Sequence, residues 1–187
     1  MKNLLLLSLL VLLTACQTTS YSFNGSTYSS PTEAIAASDA YNHQIVSQIP
    51  ATDAPLSLSL KVVLPSQSLT KAKGFISSGP KPGDEQLSYL EQIVYAGQHV
   101  VVDALQKRQL FNAVTEARSD TPAFYATAGV DYLLWFQYNE TDSPAGWYLK
   151  SAETGRVIPV LYNNTAGGID SIMSLLEGIE IAVKKLN

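Results

Sequence analysis

The chain has 187 residues, with 12 basic and 16 acidic side chains and a formal net charge of −4. The basic residues are dispersed and never form a run of three, which argues against nucleic-acid binding because phosphate contacts need concentrated Lys and Arg. The single cysteine excludes an intramolecular disulfide.

The first fifteen residues have the pattern of a secretory signal peptide. Lys2 gives a short positive region, and residues 4–13 form an apolar run that only Ser8 interrupts. Such a run is shorter than the roughly 20 apolar residues needed to span a bilayer. The sequence therefore predicts that residues 1–15 are a signal peptide.

The apolar run is followed by Leu-Thr-Ala-Cys at 13–16. This resembles the bacterial lipobox, in which a branched apolar residue and two small residues precede the cysteine. The sulfur of Cys16 would carry a thioether-linked diacylglycerol, and the peptidase that cleaves after Ala15 accepts only small side chains beside the bond. Two or more acyl chains, at about 0.8 kcal/mol per buried methylene, make a stable anchor. The alternative is a core helix with an ordinary buried thiol at Cys16.

The residue after the cysteine bears on localisation. Gln17 stands at this position, whereas in enterobacterial-type lipoproteins an aspartate there retains the protein at the inner membrane. What the resemblance implies is a protein anchored by its lipid in the outer membrane, with its folded part facing the periplasm.

Residues 16–55 are predicted to form a lipidated tether followed by an accessory hairpin and helix. Apolar residues alternate on both sides of Asn24-Gly25, which is a hairpin signal. Ser-Pro-Thr-Glu at 30–33 has the pattern of a capping box with Ser30 as the N-cap. A helix is therefore expected to run to about Gln48.

Residues 56–187 are predicted to form one periplasmic domain. Its expected strands lie at 56–65, 111–114, 130–138, 146–152 and 157–162. Its expected helices begin at Asp84, at Asp120 and at Asp170. The order β-α-β-α-β-β-β-α predicts an α+β fold, with a mixed sheet and helices packed on one face. Pro159 should make the last strand an edge, and the long loop 66–83 is typical of a functional or disordered segment.

Three stretches, at 103–114, 128–134 and 151–158, resemble the pattern of periplasmic lipoproteins with a domain like the TolB N-terminal domain. That group includes curli-secretion CsgG-like proteins and the LpoB-like lipoprotein activators of penicillin-binding proteins. The resemblance implies an envelope protein as partner. The chain departs from the group at Val130, where alanine is usual, and at Pro159. It also lacks an amphipathic membrane-spanning insertion, which argues against a curli-type pore.

Two residues within these stretches have physical roles that do not depend on a family. Gly155 suits the positive backbone angle of a hairpin turn. Asp131 could satisfy backbone groups at the entrance of a strand.

No catalytic residue, metal site or cofactor site is predicted. Both histidines, His43 and His99, lie in predicted helices, and the chain has no G-x-S-x-G serine, no His-x-x-x-His pair and no second cysteine. His99 and Asp103 form a surface pair by default, and Asp39 with His43 could bind a metal only weakly. Carboxylates for sugar hydrolysis can converge from anywhere in a sequence, so that possibility stays open.

The candidate partner contacts are loop 66–83 and a set of aromatic residues. These residues are Trp135, Tyr138, Trp147, Tyr148 and Tyr162. Trp135 is expected in the core, which leaves Tyr138, Trp147, Tyr148 and Tyr162 as the predicted binding residues. Trp147, beside Gly146 near a turn, is expected to be exposed.

The predicted function is a non-enzymatic protein-binding or assembly module of the cell envelope. One alternative is a hydrolase of peptidoglycan or another envelope polymer. The other is a subunit of an oligomeric secretion or motility ring, and the sequence leaves the oligomeric state open.

Overall fold

A computed structural model describes residues 20–64, 84–118, 122–137, 145–165 and 167–187. The predicted signal peptide, Cys16, loop 66–83 and Tyr138 lie outside the described residues, so the predictions made for them are not addressed by the structure.

The described chain begins with the predicted hairpin and helix, which we call the accessory unit (residues 20–55). β1 (Tyr21–Phe23) pairs antiparallel with β2 (Ser26–Tyr28). Asn24 and Gly25 form the turn with positive φ angles of 49° and 78°, as the Asn-Gly signal predicted. Helix α1 (Pro31–Ser47) follows at once.

The start of α1 confirms half of the predicted capping box. Ser30 Oγ accepts a hydrogen bond from the Glu33 backbone N–H at 3.3 Å. The Glu33 carboxylate turns back to Ser29 rather than Ser30, accepting from its N–H at 3.2 Å and its hydroxyl at 2.6 Å. These bonds lower the pKa of Glu33, the hydroxyl bond being the largest cause.

The remaining elements belong to the predicted periplasmic domain. In chain order they are β3 (Leu56–Leu64), α2 (Asp84–Arg108), β4 (Phe111–Arg118), a 3₁₀ helix (Pro122–Tyr125), β5 (Tyr132–Gln137), β6 (Gly146–Ser151), β7 (Val157–Pro159) and α3 (Gly168–Leu186). The strands form one sheet in the order β4-β3-β5-β6-β7. β3 is parallel to β4 and β5, whereas β5, β6 and β7 pair antiparallel. The predicted α+β class with a mixed sheet is confirmed, and β7 is an edge as expected.

One face of the sheet and the inward stripes of α2 and α3 form the main core. Leu60, Leu134 and Leu149 are 0% exposed at its centre. The helix residues that complete it are Val101, Val102, Ala104, Leu105, Leu175, Leu176, Ile179, Ala182, Val183 and Leu186. Their spacing of three or four residues puts them on one side of each helix.

Several predicted boundaries are wrong. The helix expected over 120–128 is a four-residue 3₁₀ helix in the described part of that segment. β7 has three residues rather than six, and its pairing with β6 ends where the Val160 N–H donates to the Trp147 carbonyl at 2.8 Å. Helix α3 starts at Gly168 without a side-chain cap, so Asp170 lies in its first turn instead of capping it.

The accessory unit packs on the main domain. Ile49, just after α1, is 2% exposed within the main core. Thr52 N donates to the Arg108 carbonyl at 2.8 Å, and Arg108 Nη1 donates to the Pro50 carbonyl at 3.1 Å. The two parts are therefore joined by a shared core residue and by reciprocal hydrogen bonds to backbone carbonyls.

The hairpin is fixed to helix α2 by a second, smaller cluster. Tyr21 and Tyr89 are 5% and 3% exposed, and their rings meet edge to face at 5.1 Å. Tyr89 Oη donates to the Ser22 carbonyl at 2.9 Å. Burial raises the pKa of Tyr89. These contacts hold the first described residues against the body of the domain.

Candidate functional site

Alternation along the strands gives the sheet two different faces, because successive side chains point to opposite sides. Leu60 and Leu134 point to the helices, whereas Lys61 and Trp135 point away from them. We call the side opposite α2 and α3 the open face. By register, it carries Ala113, Thr115, Ala117, Ser59, Lys61, Val63, Leu133, Trp135, Gln137, Gly146, Tyr148, Lys150, Val157 and Pro159.

An aromatic row crosses the open face. Trp135 and Tyr148 are register partners on β5 and β6, and their rings stack with centroids 5.7 Å apart and planes at 23°. Tyr125 stands edge-on against Trp135 at 6.2 Å and 88°. Trp135 and Tyr148 are both half-buried. Pro159 continues this row on β7 as the register partner of Tyr148.

The segment 122–130 partly covers the open face. Lys61 Nζ donates to the Ala126 carbonyl at 3.4 Å, and Tyr125 lies against Trp135. Val63 and Leu133 on this face are 0% and 1% exposed. Lys61 and Trp135 thus hold the segment against the face, and Tyr125 forms a border to the aromatic row.

Asp131 fixes the entrance of β5 beside this segment. Its carboxylate oxygen Oδ2 accepts from the Ser59 N–H at 2.7 Å and from the Ser59 hydroxyl at 2.8 Å. These two bonds lower the pKa of Asp131, with the backbone bond as the larger cause. The role predicted for Asp131 at a strand entrance is confirmed.

The only charged side chains in the strand register of the open face are Lys61 and Lys150. Both pair with Leu133 in the register, from the β3 side and the β6 side respectively. This row of two lysines runs next to the aromatic row. Within the described residues, the strands of the open face therefore carry aromatic rings and two lysines, with the Asp131 carboxylate bonded to Ser59 beside them, although the chain as a whole is acidic.

The structure separates the four predicted partner-binding residues. Tyr148 lies on the open face, and Tyr138 falls outside the described residues. Tyr162 is half-buried against the main core, where burial raises its pKa. Trp147 is 4% exposed and packs edge-on against Phe136 at 5.4 Å, so the expectation that it is exposed is wrong.

The roles expected for the two tryptophans are reversed. Trp135, expected in the core, is on the open face, and Trp147, expected outside, is on the helix side. The sequence of β6 indicated the side on which Trp147 lies. Alternate residues of a strand share a face, so Trp147 lies on the same face as the apolar Leu149, whereas Tyr148 lies on the same face as the charged Lys150. The side of Trp135 then follows from its pairing with Tyr148, which single-strand patterns do not contain.

A second concave region lies between α1 and α2. Its volume is about 270 Å³, and its lining residues are Asp39, Asn42, His43, Ala96, His99, Val100 and Asp103. His99 Nε2 is 3.7 Å from Asp103 Oδ1, and His99 Nδ1 is 2.8 Å from Glu116 Oε2. Within the described ranges, no group of three His, Cys, Asp or Glu side chains could hold a metal ion.

Glu116 also organises the side chains next to this groove. Tyr95 Oη donates to Glu116 Oε1 at 2.5 Å, and the Arg118 guanidinium lies 3.8 Å from the centre of the Tyr95 ring. The Tyr95 ring stacks on His99 at 5.9 Å. Burial, and then the bond to Glu116, raise the pKa of Tyr95 to about 12. The cluster ties α2 to β4 through side-chain contacts.

No helix in the described part of the chain is both long enough and apolar enough to cross a bilayer.

No family model, no curated protein and no solved structure matches the chain. The likeness to TolB N-terminal-like and CsgG-like lipoproteins therefore rests on the three sequence stretches and stays a prediction.

Proposed function

We propose that this chain is a lipid-anchored envelope protein that binds a protein partner through the open face and performs no catalysis itself. The observation that carries the proposal is the aromatic row of Tyr125, Trp135 and Tyr148, which lies on the side of the sheet away from the two long helices.

The chemistry of this row suits protein recognition. Trp and Tyr give a large contact area for two rotatable bonds each, and they are enriched where binding energy concentrates. Mutual stacking already restricts Trp135 and Tyr148, and Trp135 Nε1 donates to Gln137 Oε1 at 3.4 Å. Little side-chain entropy would therefore be lost when a partner covers them.

The proposed location in the cell is inferred from the sequence. The lipobox-like residues 13–16 supply the anchor, and Gln17 agrees with sorting to the outer membrane. The tethered domain would then meet proteins of the periplasm that reach the surface of the same membrane. The hydrolase and ring-subunit alternatives gain no specific observation from the described residues.

Photo-crosslinking in intact cells tests the open face. A benzophenone amino acid replaces Tyr148 in the full-length protein, and a matched variant carries it at Glu177, an exposed position on α3. We expect a discrete protein adduct from position 148 and none from position 177. Equal adducts from both positions, or none from position 148, would contradict the proposal.

A further inference from the structure

The two lysines of the open face lie at a defined separation. Lys61 and Lys150 are each one strand away from Leu133, and neighbouring strands lie about 4.8 Å apart, so their Cα atoms are about 10 Å apart. Leu133, between them, is 1% exposed, whereas both lysines are half-buried, so a ligand at this row would meet the two ammonium groups.

The acidic residue that precedes β5 is bonded to another group. Asp131 precedes Leu133 by two residues, and its carboxylate is directed to the N–H and hydroxyl of Ser59. The Lys61 ammonium group has three N–H donors, and one of them donates to the Ala126 carbonyl at the long distance of 3.4 Å. Positive charge is thus available beside the aromatic row.

The aromatic row favours one backbone conformation in a ligand. Trp135, Tyr148 and Pro159 form a continuous apolar strip, with Tyr125 standing at one end. Surfaces lined by aromatic rings bind polyproline II segments, whose preformed backbone loses little entropy. In that helix, residues i and i+3 lie on the same edge about 9.3 Å apart, close to the lysine spacing.

We infer that the partner presents an extended, proline-containing acidic segment, in which two carboxylates three residues apart meet Lys61 and Lys150 while a proline on the adjacent edge of the helix packs on Trp135 and Tyr148. This inference rests on the proposed function and specifies the chemistry of its partner. Because the lysines are solvent-accessible, binding should weaken as salt concentration rises.

The direct test uses a labelled ten-residue peptide with Glu-Pro-Pro-Glu at its centre, and measures its fluorescence anisotropy with the full protein extracted from membranes. Matched peptides carry Gln-Pro-Pro-Gln or Glu-Ala-Ala-Glu. We expect the first peptide to bind at least fivefold more tightly than either control, and to release between 50 mM and 500 mM salt. Equal binding of the three peptides, or no binding, would overturn the inference.

Charge variants locate the site. Lys150→Met should weaken binding of the Glu-Pro-Pro-Glu peptide about two- to fivefold, as expected for one exposed ion pair. K61E/K150E should weaken it tenfold or more, whereas K61R/K150R should retain it. Circular dichroism of each variant checks the fold. Unchanged peptide binding by K61E/K150E would overturn the inference.

The same charge variants separate this inference from the proposed function. When the photo-crosslinker is at position 148, K61E/K150E should abolish the adduct and K61R/K150R should preserve it. An adduct that persists after charge reversal would be consistent with the open face as a binding surface, but it would overturn the inference that the partner's segment is acidic. An adduct with a second copy of the chain, or with a protease-resistant glycan, would also overturn the inference.

Discussion

At the scale of single residues, the two tryptophans show that the side of the sheet on which a side chain lies determines its surroundings. Trp147 completes the core on the helix side, where it is 4% exposed. Trp135 is half-buried on the open face, between Tyr125 and Tyr148. Trp147 is therefore a core residue and Trp135 a residue of the proposed binding surface, and their substitutions should have different effects.

The tryptophan pair gives the first prediction. Trp147→Ala should lower the free energy of unfolding by about 3–5 kcal/mol, because it removes a large buried side chain. Trp135→Ala should cost about 1–2 kcal/mol, the worth of its ring contacts and partial burial. Urea unfolding followed by circular dichroism measures both values. If Trp135→Ala proved as destabilising as Trp147→Ala, Trp135 would be a core residue, and the open face would not be accessible to a partner.

Asp131 gives a prediction about pH. Its pKa is lowered in the folded protein by the bonds from Ser59, so its stabilising effect is complete above the unfolded pKa of about 3.9 and disappears as pH falls through the lower, folded pKa. Asp131→Ala should lower the melting temperature at pH 7 by about 2–4 °C, since an exposed carboxylate contributes about 1 kcal/mol or less.

Melting curves between pH 7 and pH 2 measure this effect. The stability difference between the wild type and Asp131→Ala should shrink below about pH 4. Asp53→Ala, at an exposed loop position, serves as the control and should change the melting temperature little. A stability difference that stays constant down to pH 2 would show that the hydrogen bonds from Ser59 do not require the charged form of the Asp131 carboxylate.

At the scale of elements, helix α3 lies very close to the chain that follows β7. A Cβ atom added at Gly178 would collide with the backbone carbonyl oxygen of Leu161 and would lie 3.1 Å from Val160 Cγ1. Glycine is required there because backbone atoms cannot move aside as a flexible side chain can. This contact fixes how deeply α3 sits over β6 and its neighbours.

Two glycine substitutions test that approach. Gly178→Ala should destabilise the protein by about 1–3 kcal/mol, because α3 must move away from Leu161. Gly97→Ala, at an exposed position of α2 with no atom within 4 Å of the added carbon, should stabilise it by about 0.5–1 kcal/mol. Chemical denaturation of both variants measures the two values. Effects of the same sign would contradict the close packing of α3.

Elements defined by local chemistry were predictable from the sequence. The turn at Asn24-Gly25 and the N-cap Ser30 depend on neighbouring residues only, and both are confirmed. The ends of β7 and the start of α3 were missed, since Gly167 has no side chain that could signal a cap. Local patterns specify where an element begins when a side chain makes a bond there.

The candidate site was only partly predictable, for a different reason. Tyr148 was identified, but its stacking partner Trp135 was assigned to the core. Tyr125 could not be connected with either, because its contact depends on segment 122–130 folding back over β3 and β5. Long-range register brings these rings together, and no local pattern in the sequence records it.

At the scale of the whole molecule, the proposed lipid anchor would decide where the proposed binding face operates. Cys16→Ser should abolish lipidation, because a hydroxyl cannot form the thioether, and the chain should keep residues 1–15. Thr14→Ser, which keeps a small residue beside the cleavage site, should be processed normally. Mass spectrometry of the N-terminal peptide distinguishes the two outcomes. A wild-type peptide that begins at Met1, or that carries a free thiol at Cys16, would refute the anchor.

With the proposed lipid on Cys16, the docking of the hairpin on α2 would also set the height of the domain above the bilayer. Only four residues separate Cys16 from Tyr21, whose ring is held by Tyr89. At no more than about 3.6 Å per residue, those five steps span at most about 18 Å. With the lipid in place, the folded body must stand almost directly on the headgroups, and the proteins within its reach are those that come down to the membrane surface.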